Sequence, residues 1–187
     1  MSVRQTGAPG AAGQAGPAAK PAGTPRRKAA AQRVLHLGAE IFPLLKTGGL
    51  ADVLGALPGA LRRAGADARV LLPAFPALLA ALADVREVGV LQPPWGGAPA
   101  QLLAGRLAAL PLAGLPIYLL QHEALYGRAG NPYSDASGAP YGDNHRRFAL
   151  LGLAATRIAE GLDPDWLPQV VHGHDWHAGL AFAYLAF

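Results

Sequence analysis

Two short segments concentrate the side chains that could do chemistry. The first is Lys46-Thr47-Gly48-Gly49-Leu50-Ala51-Asp52. Adjacent glycines let backbone amides approach a ligand closely, a helix starting there would add partial positive charge, and the lysine supplies a full one. That chemistry suits an anionic, phosphate-bearing ligand. Two common phosphate signatures do not fit. A Walker loop places its lysine after the glycines, whereas Lys46 precedes them. A dinucleotide fingerprint needs G-x-G-x-x-G and an acid after the second strand, where this chain reads Pro73-Ala74-Phe75-Pro76. On spacing alone, a glycine turn with a solvated lysine explains the segment equally well.

The second segment is His172-Gly173-His174-Asp175-Trp176-His177. Three histidines and an aspartate in six residues could hold a metal ion. The metallo-β-lactamase pattern H-x-H-x-D-H is not met, because Asp175 comes one place early. The further ligands such a site needs would have to come from His122, His145 or His36. The rival reading is a strand-end loop that hydrogen-bonds a polar ligand such as a sugar. A purely structural reading lets His172 and His174 satisfy backbone groups at a turn while Trp176 packs in the core. Tyr133, in Gly130-Asn131-Pro132-Tyr133, could stack on a base or sugar face or pin its loop to the body. Glu123, Glu160, Asp163 and Asp165 form no convergent acid pair of the kind glycosidases use, and Asp163-Pro164-Asp165 reads as turn chemistry.

The elements that must position these groups follow from hydrophobic pattern. Val34–Ala39 reads as a buried strand. Apolar residues at 50, 53, 54, 57, 60, 61 and 64 predict a helix over Leu50–Ala64, with a kink or weak turn at Pro58-Gly59 and a stop at Gly65. Ala68–Leu72 reads as a second strand, completing a right-handed βαβ unit of a parallel sheet. Residues 74–100 give no clear pattern. Leu102–Leu107 and Ile117–Leu120 read as strands of a hairpin-like excursion. Residues 126–142 form a long polar loop. Asn144–Glu160 predicts a helix with Asp143 as N-cap and Gly161 as its end. Gln169–His172 reads as a strand, and a helix starts near Trp176. The apolar helix is cut at Phe187, which predicts a truncated product in which Leu180–Phe187 lacks partners.

Composition narrows the class. The chain has 187 residues and no cysteine, which excludes disulfides, thiolate metal sites and cysteine nucleophiles and fits a cytoplasmic protein. Its net charge of +4 comes from the first 33 residues, which hold six of the sixteen basic residues and no acid. The remainder has ten basic and twelve acidic residues, so no basic face for nucleic acid is expected. Residues 1–32, rich in Ala, Gly and Pro, read as a disordered tail, and 33–187 as one domain. No apolar run is long enough to span a bilayer.

Val34–Phe75, reading VLHLGAEIFPLLKTGGLADVLGALPGALRRAGADARVLLPAF, resembles the opening of bacterial glycogen synthases and plant starch synthases. Leu125-Tyr126, Asn131-Pro132-Tyr133, Gly142-Asp143-Asn144 with Arg147-Phe148, and Val170–Gly179 follow in that family's order. The resemblance implies a Rossmann-like, doubly wound α/β domain, the N-terminal half of a two-domain GT-B glycosyltransferase. It implies transfer of glucose from ADP-glucose to the non-reducing end of an α-1,4-glucan, with retention and without a metal or other cofactor. It assigns Lys46, Gly48, Gly49 and Asp52 to the donor, Tyr133, Asn144 and His174 to the sugar and acceptor, and Asp175 and His177 to catalysis. The C-terminal domain with most nucleotide contacts is missing, so this chain alone is expected to be inactive. A stand-alone glucan-binding module and a histidine-cluster metallo-hydrolase are the alternatives.

Overall fold

The computed structural model describes residues 30–187. The expected disordered tail, up to residue 29, lies outside the described residues. Six strands form one sheet: β1 (Arg33–Leu37), β2 (Asp67–Pro73), β3 (Leu82–Leu91), β4 (Ala100–Leu107), β5 (Pro116–Gln121) and β6 (Val170–Gly173), in the order β3-β4-β5-β2-β1-β6. Strands β5, β2, β1 and β6 are parallel, while β3 and β4 extend the sheet in antiparallel fashion.

Burial explains the two halves. In β1 the four residues Val34–Leu37 are all buried, as are Ile117–Leu120 in β5. Helices cover both faces there, so these strands read as continuous apolar runs. In β4 buried and more exposed positions alternate along much of the strand, which is the mark of a strand with one face toward solvent. Leu102–Leu107 and Ile117–Leu120 are therefore part of the main sheet and not an excursion from it. The stretch 74–100, opaque in sequence, holds a short helix α2 (Pro76–Ala80) and the whole of β3. Edge strand β3 is buried at only one of its ten residues, carries Asp84, Arg86 and Glu87, and slips register twice against β4. Charge and bulges of this kind protect an edge from further pairing, and they also erase the two-residue alternation.

Helix α1 (Leu50–Arg63) follows β1 and α4 (Asn144–Ala159) precedes β6; α3 (Glu123–Tyr126) and α5 (Gly179–Ala186) are shorter. Contrary to expectation, α1 runs unbroken through Pro58, which is buried. Its end is a Schellman turn: Gly65, at φ 99°, donates to the Arg62 carbonyl and Ala66 to that of Leu61. Gly161, at φ 98°, ends α4 in the same way. Asp143 stands at the N-cap of α4 but makes no capping bond; its carboxylate pairs with Arg128 instead. Helix α4 is buried along most of its length, between the core and α5. A Cβ at Gly152 would meet the Ala181 backbone nitrogen at 2.8 Å, so only glycine permits that approach.

Candidate active site

The two reactive segments leave the sheet side by side. β1 and β6 are parallel neighbours, so the loops after Leu37 and Gly173 emerge at the same, carboxyl end. In open parallel sheets this is where ligands bind. The His174 amide donates to the Leu37 carbonyl at 2.9 Å and seals the two exits together.

The loop from Glu40 to Gly49 is organised by Glu40, a residue that sequence reasoning passed over. Its side chain is buried, yet it accepts from the Thr47 amide (2.6 Å), the Thr47 hydroxyl (2.6 Å), the Gly48 amide (3.2 Å) and the Tyr133 hydroxyl (2.5 Å). Burial alone would raise its pKa, but these donors outweigh burial and hold the carboxyl below its ordinary value. The only sequence signal for it was a lone acid three residues past a buried strand. Burial and the bond to Glu40 together raise the Tyr133 pKa, so its hydroxyl stays protonated and donates.

Lys46 lies outside this network. Its ammonium contacts both Asp52 oxygens at 2.8 Å, over the Phe42 ring, and the pair is about half exposed. Gly48 and Gly49 have no positive φ, and a Cβ built on either meets nothing within 4 Å among the described residues. Neither backbone conformation nor packing demands glycine there. What the missing side chains leave is open space above the loop.

Tyr133 joins the two segments. Its ring lies 5.9 Å from that of His177 and 6.2 Å from Trp176, while Phe148 closes on both at 5.4 and 5.0 Å. The Tyr133 backbone is held from below: Asn144 Nδ2 donates to its carbonyl at 2.8 Å, and Asn144 Oδ1 accepts from Arg147 at 2.8 Å. Arg147, the largest fully buried side chain, also donates to the carbonyls of Leu125 and Pro132. It thereby fixes the start and the middle of the long loop, a role its place in an apolar helix face concealed. Asn144 thus supports the loop through both polar atoms of its side chain.

Two further features stand out in the second segment. His177 is buried, and neither ring nitrogen has a hydrogen-bond partner among the described residues. Burial lowers its pKa against the opposing pull of Asp175 and Glu40, so the ring is neutral with both polar atoms unspent. Asp175 adopts φ 64°, ψ −178°, a region nearly reserved for glycine, and accepts from its neighbour's amide, Trp176, at 2.6 Å. Trp176 is 62% exposed, so it does not pack in the core. The His174 ring is buried and bonds that of His36, 2.9 Å away, and no backbone group among the described residues. Burial and the neighbouring imidazoles lower the pKa of both His36 and His174 to about 4. The arrangement sets neutral imidazole and aromatic rings, of which Trp176 is exposed, beside the carboxylate of Asp175 and the Lys46–Asp52 pair, a mixture suited to a sugar carrying a phosphate.

Residues 33–187 match the family described as the starch synthase catalytic domain. A glycogen synthase of Variovorax paradoxus is 60% identical over 157 residues, spanning 83% of this chain and 32% of the relative. One of Leptothrix cholodnii is 56% identical over 156 residues, spanning 82% of this chain and 31% of the relative. Among solved structures, the catalytic domain of starch synthase IV from Arabidopsis thaliana, bound to ADP and acarbose, superposes with a TM-score of 0.62 at 27% identity, covering 80% of this chain and 29% of that one. The chain thus spans about a third of the length of the curated relatives it matches.

Proposed function

The chain belongs to the starch synthase catalytic domain family, and we propose that it forms the acceptor-side wall of a retaining glucosyltransferase. The donor is ADP-glucose, and the acceptor is the non-reducing end of an α-1,4-glucan such as glycogen or starch. One observation carries the reading. Tyr133 links the buried, unspent imidazole of His177 to Glu40 and so to the Lys46–Gly49 loop. A sugar hydroxyl is the group that His177 lacks.

Each assigned residue then has a task. Cleaving a glycosyl–diphosphate bond builds negative charge on the leaving group, and Lys46 stabilises it. Releasing Lys46 from Asp52 is cheap, because an exposed pair contributes only about 0–1 kcal/mol. Asp52 holds the ammonium in place until the diphosphate arrives. The Thr47 and Gly48 amides are engaged by Glu40, so any backbone help comes from Gly49 and the first turn of α1, whose amides have no intrahelical partner. The strained Asp175 and His177 face the reacting sugar, and Tyr133 stacks beside it. No side-chain nucleophile is required. A cytoplasmic setting fits the cysteine-free sequence, and no helix among the described residues is long and apolar enough to cross a membrane.

The test is a chimera in which residues 33–187 replace the matching third of the Variovorax paradoxus relative. Glucose incorporation from ADP-glucose into glycogen is the readout. Lys46→Ala and His177→Ala should each lower kcat/KM by roughly 100-fold or more. An active chimera indifferent to both would overturn the assignment. The 187-residue chain alone should incorporate no glucose. The exposed Trp176 beside Tyr133 supports glucan binding without catalysis as a second reading. Retention of the chain on amylose, lost in Tyr133→Ala, would favour it.

A further inference from the structure

Beneath the surface just described, three imidazoles converge. Parallel pairing sets His36 opposite His172, and the two-residue alternation of a strand returns His174 to the same face. One donor nitrogen from each lies within 4.8 Å of the others. The ring centroids are 4.2 Å apart for His172 and His174, and 5.1 and 5.2 Å from His36 to those two. His36 is fully buried, and its Nε2 has no hydrogen-bond partner among the described residues. His172 is exposed, so the cluster has one side open to solvent.

Three imidazoles with an open fourth position make a donor set for a borderline divalent cation, and are poorly matched to magnesium or calcium. We propose that His36, His172 and His174 bind one zinc-class divalent ion, which clamps β1 to the turn that carries Asp175 and His177. Zinc–nitrogen distances of about 2.0–2.1 Å place tetrahedral donors about 3.4 Å apart. The 2.9 Å contact between His36 and His174 would open slightly, and the remaining donors would close in. The ion is a clamp and not a hydrolytic centre. The adjacent acid, Asp175, is not among the side chains whose ligand atoms converge there. The proposal is independent of the glucosyltransferase reading.

The experiment uses the untagged 187-residue chain, stripped with a chelator and titrated with CoCl2, then challenged with ZnCl2. All six histidines of the chain are at known positions, and none lies in the first 33 residues. One cobalt per chain should bind with the visible absorption of a four-coordinate ion, be displaced by zinc, and raise the melting temperature. His172→Ala removes an exposed ligand, so the fold should persist, with an unchanged urea midpoint in the absence of metal. Affinity should fall by more than the roughly 10–100-fold that loss of an outer partner causes. His122→Ala and His145→Ala should leave binding unchanged. Absence of saturable binding, binding that survives His172→Ala, or binding lost in His145→Ala would overturn the site.

Discussion

The two ends of the sheet treat their polar groups in opposite ways. At the amino end of the parallel strands, buried Asp163 accepts from the Tyr118 hydroxyl at 2.6 Å, from Arg86 at 2.5 Å and from the Asp165 amide at 3.1 Å. Arg69 stacks on Trp166 at 4.4 Å, and the Trp166 indole donates to Asp67 at 2.7 Å. At the carboxyl end, His177 keeps two ring nitrogens without a partner among the described residues, Asp175 holds a strained backbone, and Lys46 lies on the surface beside open glycines. The amino-end groups are largely spent on the fold, whereas at the carboxyl end, outside the Glu40 network, His177 and Lys46 are not. Stability and function are thereby separated along the strand axis, so substitutions at the two ends should divide by which property they move.

The largest effect is expected at the amino end. Asp163→Ala leaves the Tyr118 hydroxyl and Arg86 without their shared acceptor and should cost roughly 2–3 kcal/mol in urea unfolding, discounted because Arg86 is 39% exposed. It should leave amylose retention unchanged at temperatures where the chain is folded. A loss below about 1 kcal/mol would break the contrast. Glu40→Gln is next, at about 1–2 kcal/mol, because the amide keeps the shape but loses charge-assisted bonds. It should also speed hydrogen exchange at the Thr47 and Gly48 amides, whereas slow exchange there would remove Glu40 as organiser.

The same variant carries the pH prediction. The folded-state pKa of Glu40 is depressed, so its contribution is present above the unfolded value and is lost as pH falls through the folded one. The stability gap between wild type and Glu40→Gln should narrow on acidification below about pH 4.3. Taking the difference between the two chains removes the other titrating groups. A gap that widens in acid would reverse the sign.

At the carboxyl end, outside the Glu40 network, the sign of the stability effect should turn. Asp175→Gly releases a conformation costing about 1–3 kcal/mol, offset by lost chain stiffness and the bond to Trp176. A net gain of roughly 0.5–1 kcal/mol is expected, together with loss of activity in the chimera; a marked destabilisation would show that the strain is not real. Lys46→Ala should be the smallest perturbation, within about 0.5 kcal/mol of wild type, since its partner is exposed.

Legibility in the sequence follows the same division. Strands buried on both faces, such as β1 and β5, were readable because their apolar runs are continuous, and α1 and α4 because their periodicity and terminal glycines agree. Strand β3 was hidden: an exposed, charged and bulged edge has no pattern to read. Pro58 misled, because a buried proline can be carried through a helix when neighbouring packing supports it. At the site, Lys46, Tyr133 and His177 announced themselves by residue type and motif. Glu40 did not, because what matters is a partner far along the chain, Tyr133, 93 positions on.

Strand order carries a kinetic consequence. β1, the first strand made, lies between β2 and β6, the last of the six. The contact between His36 and His174 closes a span of 138 residues. Contacts this distant form slowly, because loop closure must be met before they return anything. During synthesis one side of β1 stays unpaired until residue 173 has left the ribosome, although its other neighbour, β2, is at hand early. The nascent chain would thus carry a half-made sheet with a bare edge on β1 until β6 is made, a natural point for a chaperone to hold it.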